Sequence, residues 1–378
     1  MIIAFDGYSA VYENKRSTNY SRHLIDAMSA EYPNDLFYIY SATLIDNNYL
    51  TPIITRPHVE VKTQRSGFST FTWRNFGGIL ESIKRHHIQV FHGVCGQLPL
   101  RIRRGDAASV VTFEDTTFLD QKGISAAWKR FMARKSVKNA DAIVVQREID
   151  RKRVIEEMGA PAHLVKMVLP GIPHMYSENV KYSYVKNAND KYKLPERYLV
   201  IEDTIDSRSH AMQVLKAIER SGDEDLCLVL LGKGPDDYIL ELKKWSACHD
   251  MMHRLIHIHN VRTAYIPAIT SQALLCFSSE HEGKYPYGAL HAQVSGSALV
   301  AEPQIADVVA DGAVLTDLND VNAIADVIKQ YTTDEEARQQ LIARGKKNAE
   351  KHKPEDMAHT YHDIYREALK NRLKGGDD

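Results

Sequence analysis

Short, continuous runs of apolar, mostly β-branched residues recur along the first half of the chain: Ile2 to Phe5, Leu36 to Tyr40, Ile88 to Phe91, Val110 to Phe113, Ala142 to Val145 and Lys166 to Leu169. Runs without polar alternation predict strands buried on both faces. Helical patterns separate several of them. Tyr20, Leu24, Ala27 and Met28 recur at three- and four-residue steps and share one face. The segment Ala126 to Val137 is rich in Lys, Arg and Ala, with Trp128, Phe131 and Met132 interleaved, and also reads as a helix. Strands alternating with helices predict an α/β protein with a doubly wound parallel sheet.

From Ser177 to Glu196 the chain is polar and aperiodic, which is linker chemistry. Alternation then resumes, with Tyr198 to Ile201, Leu226 to Leu231, Ile256 to Ile258, Ala273 to Phe277, Leu299 to Ala301 and Ala313 to Leu315 as strands and Met212, Leu215 and Ile218 on a helix. After about Asp334 the pattern is helical, with Tyr361, Ile364, Tyr365 and Leu369 on one stripe, and Lys374 to Asp378 reads as a frayed tail. The expected organisation is an N-terminal Rossmann-like domain (residues 1–178), a linker (179–196), a second Rossmann-like domain (197–355), and a terminal helix and tail (356–378) that packs back on the first domain. Two such halves suit one large ligand held in a cleft between them.

The chain of 378 residues is too long for one ordinary core and right for two. With 48 basic and 49 acidic side chains it has no whole-molecule attraction to nucleic acid or anionic lipid, so nucleic acid is not an expected partner. The strand-like start Met1 to Asp6 lacks the layout of a signal peptide, and Cys95, Cys227, Cys248 and Cys276 are widely spaced, as in reduced buried thiols. A cytoplasmic protein is expected, at most peripheral to a membrane. His257 and His259 alternate on a strand with no third ligand nearby, which is poor zinc evidence. No G-x-G-x-x-G follows the first strand and no Walker A pattern occurs, against a dinucleotide dehydrogenase or a P-loop enzyme.

The most informative stretch is Ser278-Ser279-Glu280-His281-Glu282-Gly283, running on through Tyr287 and Gly288 to His291. A polar, glycine-bearing turn after a buried strand is where open α/β sheets place ligands. It resembles the S-x-x-E-G-F-G-L-P-x-x-E-A donor motif of family 4 glycosyltransferases, with Glu282 and Gly283 retained and His291 at the second glutamate. Other segments are similar to that family in the same order. These are Val110 to Leu119, Asn139 to Val145, Lys166 to Ile172, and Leu228 to Gly234, the last like L-x-I-V-G-x-G. The resemblance implies the GT-B fold, two Rossmann-like domains facing a cleft, with a nucleotide sugar held by the second domain and an acceptor by the first. It implies no metal and no cofactor.

On this resemblance, His92, Glu114, Asp115 and Glu282 are the candidate catalytic residues, and Arg208, Ser209, Gly232, Lys233, Ser279, Gly283 and His291 the candidate donor-binding ones. Several positions depart from the family. Ser17-Thr18-Asn19 stands where a glycine-rich phosphate loop is usual; Ser17 and Asn19 are candidates for phosphate contact or simply for capping the next helix. Glu114 replaces the histidine of an H-D pair beside Asp115, and Ser209 and Asp203 replace a lysine and a glycine. Arg208 and Lys233 remain as cations for a departing diphosphate, Arg208 alternatively being a solvated surface charge. His291 can bond a hydroxyl without offering a carboxylate's two acceptors, or be a satisfied, partly buried histidine.

The resemblance implies a retaining hexosyltransferase that moves a sugar from a nucleotide diphosphate to a growing glycan or lipid-linked acceptor. The clustered replacements leave open a weakened or inactive pseudoglycosyltransferase acting as a scaffold, and an enzyme with unusual donor chemistry.

Overall fold

The computed structural model describes residues 1–11, 17–42, 50–63, 70–177, 180–279 and 285–374. The chain divides into two compact units, one formed by Met1–Gly171 with His352–Asp378 and the other by Ile172–Lys351. The first holds strands β1 (Ile2–Asp6), β2 (Leu36–Ser41), β3 (Val59–Thr63), β4 (Val90–Gly93), β5 (Ala108–Phe113), β6 (Ala142–Val145) and β7 (Val165–Met167). The second holds β8 (Tyr198–Glu202), β9 (Cys227–Leu231), β10 (Leu255–Ile258), β11 (Leu275–Ser278), β12 (Leu299–Ala301) and β13 (Val314–Leu315).

Among the described residues each unit is one parallel sheet, ordered β3-β2-β1-β4-β5-β6-β7 in the first and β10-β9-β8-β11-β12-β13 in the second. Both are doubly wound α/β sheets, as the alternation predicted. Every residue of β5, β6 and β9 is buried, which is why these strands read as unbroken apolar runs.

Two elements differ from expectation. Val59-Glu60-Val61-Lys62-Thr63 forms the edge strand β3, in register with β2 from Phe37↔Val59 to Ser41↔Thr63. Its alternating sequence carries one half-solvated face, so no apolar run marks it. The stretch expected as linker contains a helix, Tyr182–Tyr192, which rests on Ala188 as its one buried residue. A helix with so little apolar surface leaves almost no periodic signal.

The last helix, Pro354–Lys374, belongs to the first unit, where it packs on the helix Ser17–Glu31 and on β5. Tyr361, Ile364, Tyr365 and Ala368 on its inner face are buried. A polar chain runs through this contact. Tyr20 and Tyr361 share a short hydroxyl–hydroxyl bond. Tyr361 Oη also meets Thr112 Oγ1 at 2.8 Å, Thr112 meets His92 Nε2 at 2.8 Å, and His92 Nδ1 meets Tyr365 Oη at 2.6 Å. His92 lies within β4, and burial depresses its pKa to about 3, so the ring is neutral and one nitrogen donates while the other accepts.

Removing one hydroxyl from this chain strands its partners in a dry environment. Tyr361→Phe is expected to lower stability by about 1–3 kcal/mol in urea unfolding. A change below about 0.5 kcal/mol would show that the chain contributes nothing beyond packing.

Candidate functional site

In the second unit the chain leaves β8 for β9 and β10 on one side, then returns to β11, β12 and β13 on the other. This reversal makes the carboxyl ends of β8 and β11 the switch point where an open parallel sheet binds ligands. Glu202, the last residue of β8, accepts a bond from His291 Nδ1 at 2.8 Å. The ring of His291 stacks on Tyr176 with centroids 3.8 Å apart and is 3% exposed. His291 Nε2 and Glu202 Oε2 are sealed from solvent, and neither meets a hydrogen-bond partner among the described residues. Buried polar atoms in that state await a ligand or water.

The helix that carries His291, Tyr287–Val294, reaches this place because of Gly288. A Cβ there would stand 2.5 Å from the carbonyl oxygen of Glu202. Gly232 plays the same part in the neighbouring turn: its φ is +148° and a Cβ would lie 1.9 Å from the Asp203 carbonyl oxygen. Lys233 is exposed in that turn, its carbonyl accepting Ile205 N–H at 2.8 Å. His257 meets the Gly232 carbonyl through Nε2 at 2.8 Å, so this histidine serves the turn.

The cationic side of the site is restrained. Asp206 accepts the backbone N–H of Arg208 at 2.9 Å and its carboxylate holds the Arg208 guanidinium at 2.5 Å, in a pair whose arginine is 45% exposed. Ser209 is buried, its hydroxyl donating to the Asp206 carbonyl at 2.7 Å. Ser279 is buried at the end of β11. A second histidine–carboxylate contact, His210 Nε2 to Glu302 Oε1 at 3.4 Å, lies after β12. Glu282 and Gly283 fall outside the described residues. Ser17 and Asn19 stand in the first turn of the helix Ser17–Glu31, with their side chains outside the description.

In the first unit, Glu114 and Asp115 follow β5 directly. Glu114 Oε1 is sealed from solvent and meets no hydrogen-bond partner among the described residues, and burial, reinforced by Asp115, raises its pKa well above the usual carboxylate range. Asp115 accepts the backbone N–H and the hydroxyl of Thr117 at 3.0 and 2.5 Å. Asp150, on the helix Glu148–Glu156, accepts the Thr116 hydroxyl at 2.7 Å and is pushed up to about 6, chiefly by burial. A carboxyl shifted in this direction favours its neutral form, which can donate a hydrogen bond, the capacity an ionised carboxylate lacks. His92 does not face this cluster with a free nitrogen, since both ring nitrogens are bonded.

Residues 190–348 match the family model described as glycosyl transferases group 1. The matched stretch contains every second-unit residue just described except Tyr176. No curated protein sequence matches the chain. Among solved structures it is similar to Alr3699/HepE of Anabaena in complex with UDP and glucose, at 13% identity and a TM-score of 0.73 over 96% of this chain and 98% of that one. It is also similar to a glycosyltransferase of Rickettsia africae, at 12% identity and a TM-score of 0.74 over 98% of each chain. The sucrose-phosphate synthase of Thermosynechococcus elongatus matches at 14% identity and a TM-score of 0.73, over 97% and 98%. The fold is that of GT-B glycosyltransferases.

Glu202, Tyr176, Glu302 and Asp150 were not anticipated from sequence. Glu202 had a signal, since it ends an apolar run directly before the segment Asp203 to His210. Tyr176 and Asp150 had none, because their roles arise from stacking and from burial in the folded chain.

The raised pKa of Asp150 fixes a sign. Stability from this group is fully present below its unfolded pKa near 4 and is lost as pH rises through about 6. Asp150→Asn keeps the acceptor for Thr116 and removes the buried charge. Relative to wild type, the variant is expected to gain about 2 kcal/mol between pH 4 and pH 7, read from paired urea curves. A pH-independent difference would count against the buried carboxyl.

Proposed function

We propose that the chain is a retaining glycosyltransferase that moves a sugar from a nucleoside-diphosphate donor, bound on the second unit, to a glycan or lipid-linked acceptor that the first unit recognises. The observation that carries this reading is the coincidence of the glycosyl transferases group 1 match at 190–348 with the unsatisfied His291–Glu202 pair at the β8/β11 switch point. The UDP named with the Anabaena structure supports the same donor class.

In this reading His291, oriented by Glu202, bonds a hydroxyl of the donor. Arg208 and Lys233 meet the diphosphate, on which charge builds as the sugar leaves. Glu282 and Gly283 act in the donor contact that the family motif assigns them. Glu114, held neutral, donates a hydrogen bond to an acceptor hydroxyl, and Asp115 fixes the turn beside it. His92 holds the terminal helix instead of acting at the reacting centre. No metal or cofactor is assigned.

A second reading, a weakened enzyme or a scaffold, is favoured by one specific observation: Asp206 already occupies the Arg208 guanidinium. Calorimetric titration with UDP, GDP, ADP and dTDP separates the two. Binding of at least one is expected, and turnover of the matching nucleotide sugar then identifies the donor; binding of none would falsify the enzymatic reading.

Asp206→Asn keeps an acceptor for the Arg208 backbone N–H while releasing its guanidinium. Because an exposed ion pair is worth up to about 1 kcal/mol, the variant is expected to bind the nucleotide about two- to five-fold more tightly. Unchanged or weaker affinity would remove Arg208 from the diphosphate contact.

A further inference from the structure

The helix Ile124–Asn139 of the first unit has an outward face unlike an ordinary solvated one. It packs inward through Ala126, Met132, Ala133, Ser136 and Val137. Opposite these, Ile124, Trp128 and Phe131 fall on a single stripe at four- and three-residue steps. They are 92%, 43% and 43% exposed. The Trp128 and Phe131 rings lie 5.3 Å apart, and Lys135 Nζ stands 5.7 Å from the Phe131 ring, one turn further along. Three large apolar side chains on one exposed stripe are a patch that calls for a partner.

Charge says which partner. The helix contains no acidic residue but carries Lys129, Arg130, Arg134, Lys135 and Lys138. The neighbouring acids Asp120 and Glu157 are both paired with Arg153. The whole chain has a net charge of -1, so this basic strip is a local concentration that orients the molecule and not a general property of its surface. Lys135 and Lys138 continue the line of the apolar stripe, so apolar and cationic groups face the same way.

We infer that this helix face is a docking surface for an anionic lipid bilayer. Ile124, Trp128 and Phe131 enter the interface between headgroups and acyl chains, where an indole is favoured, and the lysines and arginines meet the lipid phosphates. The helix lies on the membrane and does not cross it; no helix of the described residues is long and apolar enough to span one.

Co-sedimentation with vesicles decides the matter, and it is read without any sugar donor, so it stands or falls apart from the glycosyl-transfer reading. The protein is expected to pellet with phosphatidylcholine–phosphatidylglycerol vesicles, to remain in solution with phosphatidylcholine alone, and to be released as sodium chloride is raised. The combined variant Ile124→Ser, Trp128→Ser, Phe131→Ser is expected to lose about ten-fold or more in vesicle affinity. Lys135→Glu with Lys138→Glu, which keeps the apolar stripe, is expected to lose the preference for the anionic vesicles. Both variants alter exposed side chains, and wild-type circular dichroism and thermal midpoint confirm that they are folded. Failure of the wild type to bind the anionic vesicles, or undiminished binding by the apolar triple variant, overturns the inference. A vesicle-free dimer in sedimentation equilibrium that the triple variant dissolves overturns it too, since a second copy would then be what covers the stripe.

Discussion

A parallel strand has to be covered on both faces, and this single requirement organises the molecule. With β5, β6 and β9 buried at every position, a strand interior has no place for a group that needs water or a ligand. Polar chemistry is therefore displaced to where the strands stop. Glu114 and Asp115 come directly after β5, Glu202 closes β8, Gly232 and Lys233 follow β9, Ser279 follows β11, and Glu302 follows β12. In each unit the candidate residues are a by-product of how its sheet must be packed, sharpened in the second at β8 and β11 by the reversal of strand order.

His92 and Thr112 break that requirement, since both are polar and both lie inside strands. They are tolerated because each has its partners: His92 between Thr112 and Tyr365, Thr112 between His92 and Tyr361. The terminal helix supplies the tyrosines. A histidine next to a glycine at a strand's end reads as catalytic from sequence, yet here the same side chain is a fastening between sheet and helix. The contrast with His291 is instructive. Both histidines are buried, but among the described residues His92 has two hydrogen-bond partners and His291 one, and in the proposed mechanism the second nitrogen of His291 is the ligand contact.

The apolar runs made most of both sheets legible, because a strand buried on both faces writes itself as a block of Val, Ile, Leu and Phe. What could not be read was whatever depends on partial burial or on partners distant in sequence. The edge strand Val59–Thr63 alternates too briefly to stand out, and the helix Tyr182–Tyr192 buries almost nothing. At the site, Glu202 and His291 are 89 residues apart, and nothing at either position announces the other. The stretch from Asp203 to Ser209 was legible as a departure from the expected basic site. That Asp206 would turn against Arg208 was not, since the pair depends on the backbone turning at the 3₁₀ segment Ser207–Ser209.

The assignment of Pro354–Lys374 to the first unit makes that unit discontinuous along the chain. Tyr20 and Tyr361 are 341 residues apart, so their contact closes a loop that contains the whole second unit. The entropic cost of such a closure grows only as the logarithm of its length, and a second unit already folded shortens the effective loop. The consequence is an order of assembly during synthesis. The contacts of His92 and Thr112 with Tyr365 and Tyr361 can therefore form only after the whole second unit has been synthesised.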